Sequence, residues 1–289
     1  MSDRPEYGGG ELADLVRRAL EEDVPSGDLT TDLTVLPGAR CRAELGAKAN
    51  GILAGTTAAQ MAFQLAAEQT GLGPVNVDWK HADGDEIRAG DVVAMVSGPA
   101  RSLFRAERVA INLLAHLSGV ATLTRAFVTV AAPASILCTR KTTPGLRALE
   151  RAAVLVGGGR LHRASLSDAV LIKDNHVRMA GGVGPAVRRA NEAGAGIPVE
   201  VEVENLDEMQ EALEAGADQI LLDNPNPDLV RLALQRVDDP SRLEVSGGIT
   251  LESVSSFVEA GARVISVGRI THSAPSLDIS LEVIDVDRL

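Results

Sequence analysis

The chain has 289 residues, of which 45% are hydrophobic and 24% charged, and this composition excludes a disordered or fibrous protein. Its length favours two domains and allows a substantial core. The net charge of -12 excludes nonspecific binding to nucleic acid or to anionic membranes, because both need a broad basic surface. Any anion site must therefore be a local cationic pocket.

The cysteines and the first ten residues favour a cytoplasmic protein. Cys41 and Cys138 are far apart and lack metal-ligand spacing, so we expect two reduced thiols and no zinc site. Residues 1–10 carry acids and glycines where a signal peptide needs a basic start and an apolar run. We also expect no apolar stretch of about 18 residues, the length that marks a membrane span.

The first third of the chain mixes helices with short strands. Apolar residues recur at helical spacing at Leu12, Leu15, Val16, Ala19 and Leu20, and residues 24–28 break this first helix. Residues 41–54 and 78–99 contain short apolar stretches cut by Gly and Asp, which predict a small sheet with tight turns. Helices are predicted over 57–70 and 105–117. This third is therefore α+β.

Beyond about residue 130, short apolar strands alternate with helices. Six strands are predicted within ASILCTR, AVLIKDN, IPVEVEV, DQILLDN, RLEVSGG and ARVISVG. Strands separated by helices indicate a parallel sheet. Six such units favour an α/β barrel, which need not be complete. The alternative on this pattern is an open doubly wound sheet.

The residues that end these six strands lie where the active groups of parallel α/β folds collect, and most of them are polar. In chain order they are Thr139, Arg140 and Lys141; Lys173, Asp174, Asn175 and His176; Glu202 and Glu204; Asp223 and Asn224; Ser246, Gly247 and Gly248; and Val267, Gly268 and Arg269. The last two groups offer backbone N–H donors, as at barrel phosphate sites. The alternative for the glycines is a plain turn.

Lysine is rare in this chain, with four Lys against 24 Arg, yet Lys141 and Lys173 both follow predicted strands. An ammonium group suits a crowded carboxylate or phosphate, although solvated surface lysines are equally compatible with the pattern. Glu202 and Asp223 would lie on neighbouring strands, and their oxygens suit Mg²⁺. They could instead act as acid and base, or pair structurally with Arg140 or Lys173.

The motifs TRKTTPGLR, GGGRLHR, LIKDNH, EVEVEN, LLDN, SGGI and SVGRITHS, read in order, resemble the quinolinate phosphoribosyltransferase family. The resemblance covers nearly the whole chain. It implies an open α/β barrel over residues 113–273 and an N-terminal α+β sandwich over 1–112, to which residues 274–289 return as a strand. It also implies transfer of phosphoribose from phosphoribosyl pyrophosphate to quinolinate, with loss of carbon dioxide, in NAD biosynthesis.

The same resemblance implies roles for individual residues and a cofactor, Mg²⁺. Quinolinate would lie in a cationic pocket formed by Arg140, Lys141, His162, Arg163 and Lys173, with Arg105 supplied by a neighbouring subunit. Thr139 would also bind substrate. Glu202 and Asp223 would face the ribose and its magnesium, and Lys141 or Lys173 would assist decarboxylation. The 5′-phosphate would bind Ser246, Gly247, Gly248, Val267, Gly268 and Arg269. The shared Arg105 requires at least a dimer, and the resemblance implies a homo-oligomer that is either a dimer or a hexamer of dimers.

Two other interpretations remain open on the sequence. A relative with the same barrel could use another substrate, as a nicotinate phosphoribosyltransferase or a molybdenum-associated pyrophosphorylase-like protein does. A non-catalytic carrier is the second, because AKANGILAG and DGDEIRAGD are similar to hairpins of lipoyl and biotinyl domains. Against a carrier, Lys48 lies between two alanines within an apparent strand rather than at a hairpin tip. His162, on a loop after Gly157–Gly159, could likewise be inert.

Overall fold

A computed structural model describes residues 9–194 and 196–287. Most of residues 1–10, in which we expect no signal peptide, therefore lie outside the described residues. The helices are α1 Gly9–Asp23, α2 Leu29–Thr34, α3 Thr56–Thr70, α4 Ala100–Ala131, α5 Arg147–Val156, α6 Asp174–Ala180, α7 Val183–Ala193, α8 Leu206–Glu214, α9 Pro227–Leu234, α10 Val254–Glu259 and α11 Arg269–His272. The strands are β1 Arg40–Ala47, β2 Gly51–Ile52, β3 Asn76–Trp79, β4 Glu86–Ile87, β5 Val92–Pro99, β6 Ser135–Leu137, β7 Val170–Ile172, β8 Val199–Val203, β9 Gln219–Asp223, β10 Leu243–Ser246, β11 Val264–Ser266 and β12 Ile279–Asp287.

The chain forms two compact units. The first comprises the described residues up to Leu123, together with Thr143–Gly157 and the residues from Ala274 onward. The second comprises Thr124–Thr142 and Gly158–Ser273, apart from Ala195. The border at Leu123 lies within α4, the helix that also contains the predicted border at residue 112.

The first unit contains an antiparallel sheet in the order β12-β1-β5-β3. Alternate residues of β1, from Cys41 to Ala47, are buried, so this strand presents one face to the core. The C-terminal strand β12 pairs along β1 from Ile279↔Ala47 to Asp287↔Arg40. The sequence prediction that the chain's end returns to the N-terminal domain as a strand is confirmed for its described residues.

Two details of the first unit correct the sequence analysis. The helix predicted over 105–117 runs from Ala100 to Ala131, and Gly119 does not end it. A Cβ on Gly119 would lie 2.0 Å from the carbonyl oxygen of Pro275, so glycine is required where the C-terminal segment crosses the helix. Lys48 lies in the bend after β1 rather than within a strand, and its ammonium group pairs with Glu282.

The expectation of no membrane-length apolar stretch is wrong by the measure of mean hydropathy. Helix α4 contains an 18-residue window with a mean hydropathy of 1.4, which makes it long and apolar enough to cross a membrane by length and composition. More than half of that window, 56%, is buried inside the protein, as in the core helix of a globular domain.

The second unit contains six parallel strands in the order β6-β11-β10-β9-β8-β7. The last strand in sequence, β11, pairs with the first, β6, so the strands follow one another around a ring. A parallel bridge between Leu137 and Arg160 continues the ring beyond β6, and it leaves a break before β7. A doubly wound sheet reverses its strand order at a switch point, which this sheet does not do. The prediction of an incomplete α/β barrel is confirmed.

Strand β8 shows how the sequence assigns side chains to the inside of the ring. In VEVEV the valines alternate with Glu200 and Glu202, and successive side chains of a strand point to opposite faces. The three valines are fully buried, as expected for the face covered by helices. Both glutamates therefore share the inner face.

Candidate active site

The polar residues predicted at strand ends lie in the second unit and follow the six strands of its ring. Because all six strands are parallel, their carboxyl ends meet at one rim. Thr139–Lys141 follow β6, Lys173 follows β7, and Glu202 and Asp223 lie at the ends of β8 and β9. The sequence prediction that these groups gather at one edge agrees with this topology.

Two guanidinium groups, those of Arg140 and Arg163, lie close enough to repel each other. Burial lowers the pKa of Arg163, and the charge of Arg140 lowers it further. The Nε of Arg140 is buried without a hydrogen-bond partner among the described residues. Arg163 donates to the carbonyl of Ala169 at 3.1 Å, and neither guanidinium forms an ion pair in the described part of the chain. The carboxylates of Glu200 and Asp168 act on Arg163 in the opposite direction. Two neighbouring cations without an ion pair among the described residues indicate a site for an anion.

The two rim lysines have different surroundings. Lys173 forms an ion pair with Glu202, whose side chain is 15% exposed while that of Lys173 is 44% exposed. Lys141 is exposed, and its carbonyl accepts a hydrogen bond from the hydroxyl of Thr271 at 2.8 Å. Its backbone N–H donates to the Thr139 hydroxyl at 3.1 Å. The backbone of Lys141 is thus fixed, and its side chain has room to move.

Asn224 connects the end of β9 to the loop after β10. It has a left-handed φ of 48°, its N–H donates to Ser246 at 2.8 Å, and its side-chain amide donates to Asp223 at 2.7 Å. A Cβ on Gly247 would lie 2.3 Å from the Asn224 side-chain oxygen. Gly247 therefore allows the close approach that orients Asp223.

The loops after β10 and β11 are neighbours, because those two strands pair with each other. Gly247 and Gly248 both have left-handed φ values, 92° and 59°, a backbone conformation that favours glycine. Val267 is buried, and its N–H donates to Leu137 at 2.9 Å, so this amide already has a partner within the sheet. Arg269 is exposed at the start of α11.

A cluster of three titratable groups lies in the same unit, with Glu200 and Glu244 buried and His162 partly buried. His162 Nε2 is 3.1 Å from the carboxylate of Glu200 and 3.7 Å from that of Glu244. The hydrogen bond to Glu200 raises the pKa of His162. Burial, followed by the charge of Glu200, raises the pKa of Glu244 to about 7. One oxygen of each carboxyl group has no hydrogen-bond partner among the described residues.

Sequence reasoning did not single out Glu200 and Glu244. A signal for Glu200 was present, because the alternation of VEVEV places it on the same strand face as Glu202. Glu244 lies between the buried residues Leu243 and Val245, and the same alternation applies to it. Strand periodicity therefore identifies inward-facing carboxyl groups even when they lie below the rim.

The donor set at the rim fits a magnesium ion. Magnesium in phosphate-handling sites takes one or two protein carboxylates and keeps positions for water and substrate oxygens. Glu202 and Asp223, on adjacent strands, offer such carboxylates. Both side chains keep some exposure, although that of Glu202 is only 15%.

Arg105 belongs to the first unit. Its guanidinium donates to both carboxylate oxygens of Asp32, at 3.0 and 3.1 Å, and its Nε is buried without a partner in the described residues. Its role at a neighbouring subunit's site stays a prediction.

Two family matches together span most of the chain. Residues 28–118 match the family described as the N-terminal domain of quinolinate phosphoribosyl transferase, and residues 120–282 match its C-terminal domain. The chain belongs to the quinolinate phosphoribosyltransferase family. The resemblance inferred from the motifs is thus confirmed, and membership in this enzyme family leaves no support for the carrier interpretation of Lys48.

Relatives in the quinolinate phosphoribosyltransferase family match nearly the whole length of the chain. The chain is 42% identical to a probable nicotinate-nucleotide pyrophosphorylase [carboxylating] of Bacillus subtilis (strain 168), over 94% of this chain and 93% of that protein. The solved structure of the nicotinate-nucleotide pyrophosphorylase from Francisella tularensis has a TM-score of 0.89 at 34% identity, covering 98% of this chain and 100% of that one.

A human nicotinic acid phosphoribosyltransferase is also similar in structure, with a TM-score of 0.61 at 15% identity. It covers 89% of this chain and 72% of the human one. At this identity the similarity concerns the fold alone. The sequence relationship of the chain is with the quinolinate-using family.

Proposed function

We propose that the protein transfers phosphoribose from phosphoribosyl pyrophosphate to quinolinate and releases pyrophosphate and carbon dioxide, which gives nicotinate mononucleotide. The reaction makes it a pentosyltransferase of NAD biosynthesis, in keeping with its family. The observation that carries the proposal is the pair of neighbouring guanidinium groups, Arg140 and Arg163, which form no ion pair among the described residues, at a rim that also bears two lysines.

The charge of quinolinate explains this arrangement. Its two adjacent carboxylates repel each other and the incoming pyrophosphate group, so a binding site must supply several cations. Arg140 and Arg163 offer planar forks for carboxylates, and Lys141 and Lys173 offer compact charges. Nicotinate has one carboxylate and would leave part of this positive charge uncompensated, which costs binding free energy.

We propose that phosphoribosyl pyrophosphate binds across the neighbouring strands. The loop of Ser246, Gly247 and Gly248 would hold the 5′-phosphate with its backbone amides, and Gly268 and Arg269 would complete the site. Val267, whose amide is used in the sheet, would shape the loop rather than donate to phosphate. Thr139 would support the neighbouring lysine backbone.

Glu202 and Asp223 would hold Mg²⁺ and face the ribose. When bound, the metal would neutralise charge on the departing pyrophosphate oxygens. The carboxylates themselves would stabilise the positive charge that develops on the ribose carbon as the bond to pyrophosphate weakens. Asn224 would keep Asp223 oriented toward the sugar.

In the transfer step the bond between the ribose carbon and pyrophosphate breaks, and the pyridine nitrogen forms a bond to the same carbon. The ring nitrogen becomes cationic. The bond to the 2-carboxylate then breaks, carbon dioxide leaves, and the electron pair stays on the ring carbon beside the cationic nitrogen until a proton replaces it. Lys141 or Lys173 would stabilise this carbanion or direct the proton.

We also propose a cytoplasmic homo-oligomer, either a dimer or a hexamer of dimers, in which Arg105 of one subunit reaches the quinolinate of its neighbour. Arg105 would exchange its intrasubunit partner, Asp32, for the substrate carboxylate. A mixture of an Arg105→Ala chain with an inactive Arg140→Ala chain would then recover activity, because some sites in the mixed oligomer carry both arginines.

The direct test incubates the protein with phosphoribosyl pyrophosphate, Mg²⁺ and either quinolinate or nicotinate, and follows nicotinate mononucleotide and carbon dioxide together. We expect equal amounts of both products from quinolinate and none from nicotinate. Turnover of nicotinate alone would contradict the proposed substrate and would leave the fold and phosphate site unaffected.

A further inference from the structure

Both ring nitrogens of His162 are engaged by the protein itself. The backbone N–H of Arg163 donates to Nδ1 at 2.8 Å, and Nε2 lies 3.1 Å from the carboxylate of Glu200. A peptide N–H can only donate, so Nδ1 must be the unprotonated nitrogen. The ring proton is then on Nε2 and points to Glu200. In this state His162 has no second N–H to offer a substrate carboxylate.

From this geometry we infer that His162 is a positioning residue, whose imidazole ties the main chain at Arg163 to the buried carboxyl pair of Glu200 and Glu244. The inference rests on the binding of quinolinate by Arg163 proposed above. It assigns His162 no contact with quinolinate and no proton transfer to it.

The two carboxyl groups that hold the imidazole lie on strands and are themselves fixed in position. Glu200 lies in β8 and Glu244 in β10, and both are buried. Glu244 also has a side-chain hydrogen bond with Ser266 of β11, which is 3% exposed. The imidazole therefore lies against carboxyl groups from two strands, and Ser266 of a third strand holds one of those groups in place. The loop that carries Arg163 has no regular secondary structure.

The hydrogen bond to Nδ1 also decides the charge of the ring. The carboxylates favour an imidazole that is protonated on both nitrogens, but a hydrogen on Nδ1 would clash with the N–H hydrogen of Arg163. The charge of Arg163 itself also lowers the pKa of His162. A neutral imidazole satisfies both nitrogens, and it leaves the nearby positive charge to Arg140 and Arg163.

A metal ion is the competing occupant of this cluster, because the three ligand atoms lie within 4.8 Å of one another. A metal would bind Nε2 and displace its proton, so that neither ring nitrogen would be protonated. The positioning role and the metal site thus differ in a measurable property of the ring.

Three substitutions separate the two contacts of the imidazole. The carbonyl oxygen of asparagine takes the place of Nδ1, so His162→Asn retains an acceptor for Arg163. The amide nitrogen of glutamine takes the place of Nε2, so His162→Gln retains the donor to Glu200 only. His162→Ala retains neither.

We expect His162→Ala to raise the KM for quinolinate at least about tenfold, which equals about 1.4 kcal/mol, and to leave the KM for phosphoribosyl pyrophosphate within about threefold. His162→Asn should recover most of this loss and His162→Gln little of it. His81→Asn, in the first unit, is the matched control and should behave as the unmodified protein does. An asparagine variant as impaired as the alanine variant would overturn the inference.

Nitrogen-15 NMR of the substrate-free protein tests the same contact without turnover. The resonances of His162 are those that disappear in His162→Asn. We expect one protonated and one unprotonated ring nitrogen at neutral pH. Two protonated nitrogens, or stoichiometric bound metal by elemental analysis that is lost in His162→Ala, would overturn the inference. If the unmodified protein fails to turn over quinolinate, the proposed function fails, and the NMR result still decides the contact.

Discussion

The side-chain oxygen of Asn224 occupies the space beside Gly247 that a side chain would need, 2.3 Å from the position of a Cβ atom. The same asparagine donates to Asp223, so one residue joins the proposed phosphate loop to a carboxylate of the sugar site. The absence of a side chain at Gly247 therefore affects both the shape of the proposed phosphate loop and the orientation of Asp223.

Gly247→Ala should reduce activity more than Gly248→Ala. At Gly247 the new Cβ would displace Asn224 and strain a φ of 92°, whereas at Gly248 it would lie 3.7 Å from the same oxygen. We expect kcat/KM for phosphoribosyl pyrophosphate to fall at least about tenfold in Gly247→Ala, the loss of roughly one hydrogen-bonding interaction. Steady-state kinetics measures both variants, and equal losses would contradict the role of Asn224.

Substitutions of Lys173 and Glu202, which form an ion pair, should have non-additive effects on the free energy of unfolding. Removing the lysine in Lys173→Met leaves a mostly buried carboxylate without its partner, and we expect unfolding free energy to fall by about 1–2 kcal/mol. The double variant with Glu202→Gln should recover part of that loss, because it removes the unpaired charge.

Lys173→Met and Glu202→Gln should each lose nearly all turnover of quinolinate, since each residue has a proposed role at the rim. Lys80→Met is the matched control. Lys80 pairs with Asp78 at an exposed position, and such surface pairs contribute about 0–1 kcal/mol. Urea unfolding and a coupled product assay give the two quantities. A Lys173→Met protein as stable as the Lys80→Met protein would refute the coupling.

Much of the second unit follows from sequence periodicity. The six strands are predicted by short apolar runs, and the polar residues at their ends are predicted to share a rim, because parallel strands align their carboxyl ends. The break in the ring between Arg160 and β7 has no signal in the sequence, since a single bridge residue has no periodic pattern.

Tertiary contacts explain what the sequence did not reveal. Glu244 is flanked by buried residues of a typical core strand, and only its proximity to Glu200 and His162 identifies it as part of a site. The predicted helix is shorter than α4 because a glycine within a helix normally weakens the helical pattern. At Gly119 the glycine is instead needed because the segment at Pro275 packs directly against the helix.

Glu244 should make the protein less stable as the pH rises. Its pKa is raised by burial to about 7, so the folded state binds this proton more tightly than the unfolded chain does. The stabilisation is complete below about pH 4.5 and is lost as the pH rises through about 7. A shift of this size corresponds to at most about 3 kcal/mol.

Glu244→Gln should reduce this dependence, because glutamine stays neutral. The groups that face Glu244 are Glu200, His162, Ser266 and Lys173, and they remain in the variant. Urea unfolding at about pH 5 and about pH 8 measures the difference. Glu282→Gln, at an exposed position of β12, serves as the control and should keep the pH dependence of the unmodified protein. An unchanged pH dependence in Glu244→Gln would show that another group is responsible.

Gly119→Ala should destabilise the first unit although alanine favours helices. In an open helix the substitution stabilises by about 0.5–1 kcal/mol. At Gly119 the new Cβ would approach the Pro275 carbonyl to 2.0 Å, so the helix or the C-terminal segment must move. We expect a net loss of roughly 2 kcal/mol or more, of the size seen for overpacked cores.

Gly10→Ala is the matched control for Gly119→Ala. Gly10 lies in α1, and a Cβ at this position would have no neighbouring atom within 4 Å, so its substitution should be neutral or slightly stabilising. Thermal and urea unfolding compare the two variants directly. Because β12 follows Pro275 and pairs along β1, Gly119→Ala should also speed hydrogen exchange in β12. Stabilisation by both substitutions would mean that the C-terminal segment does not pack against α4.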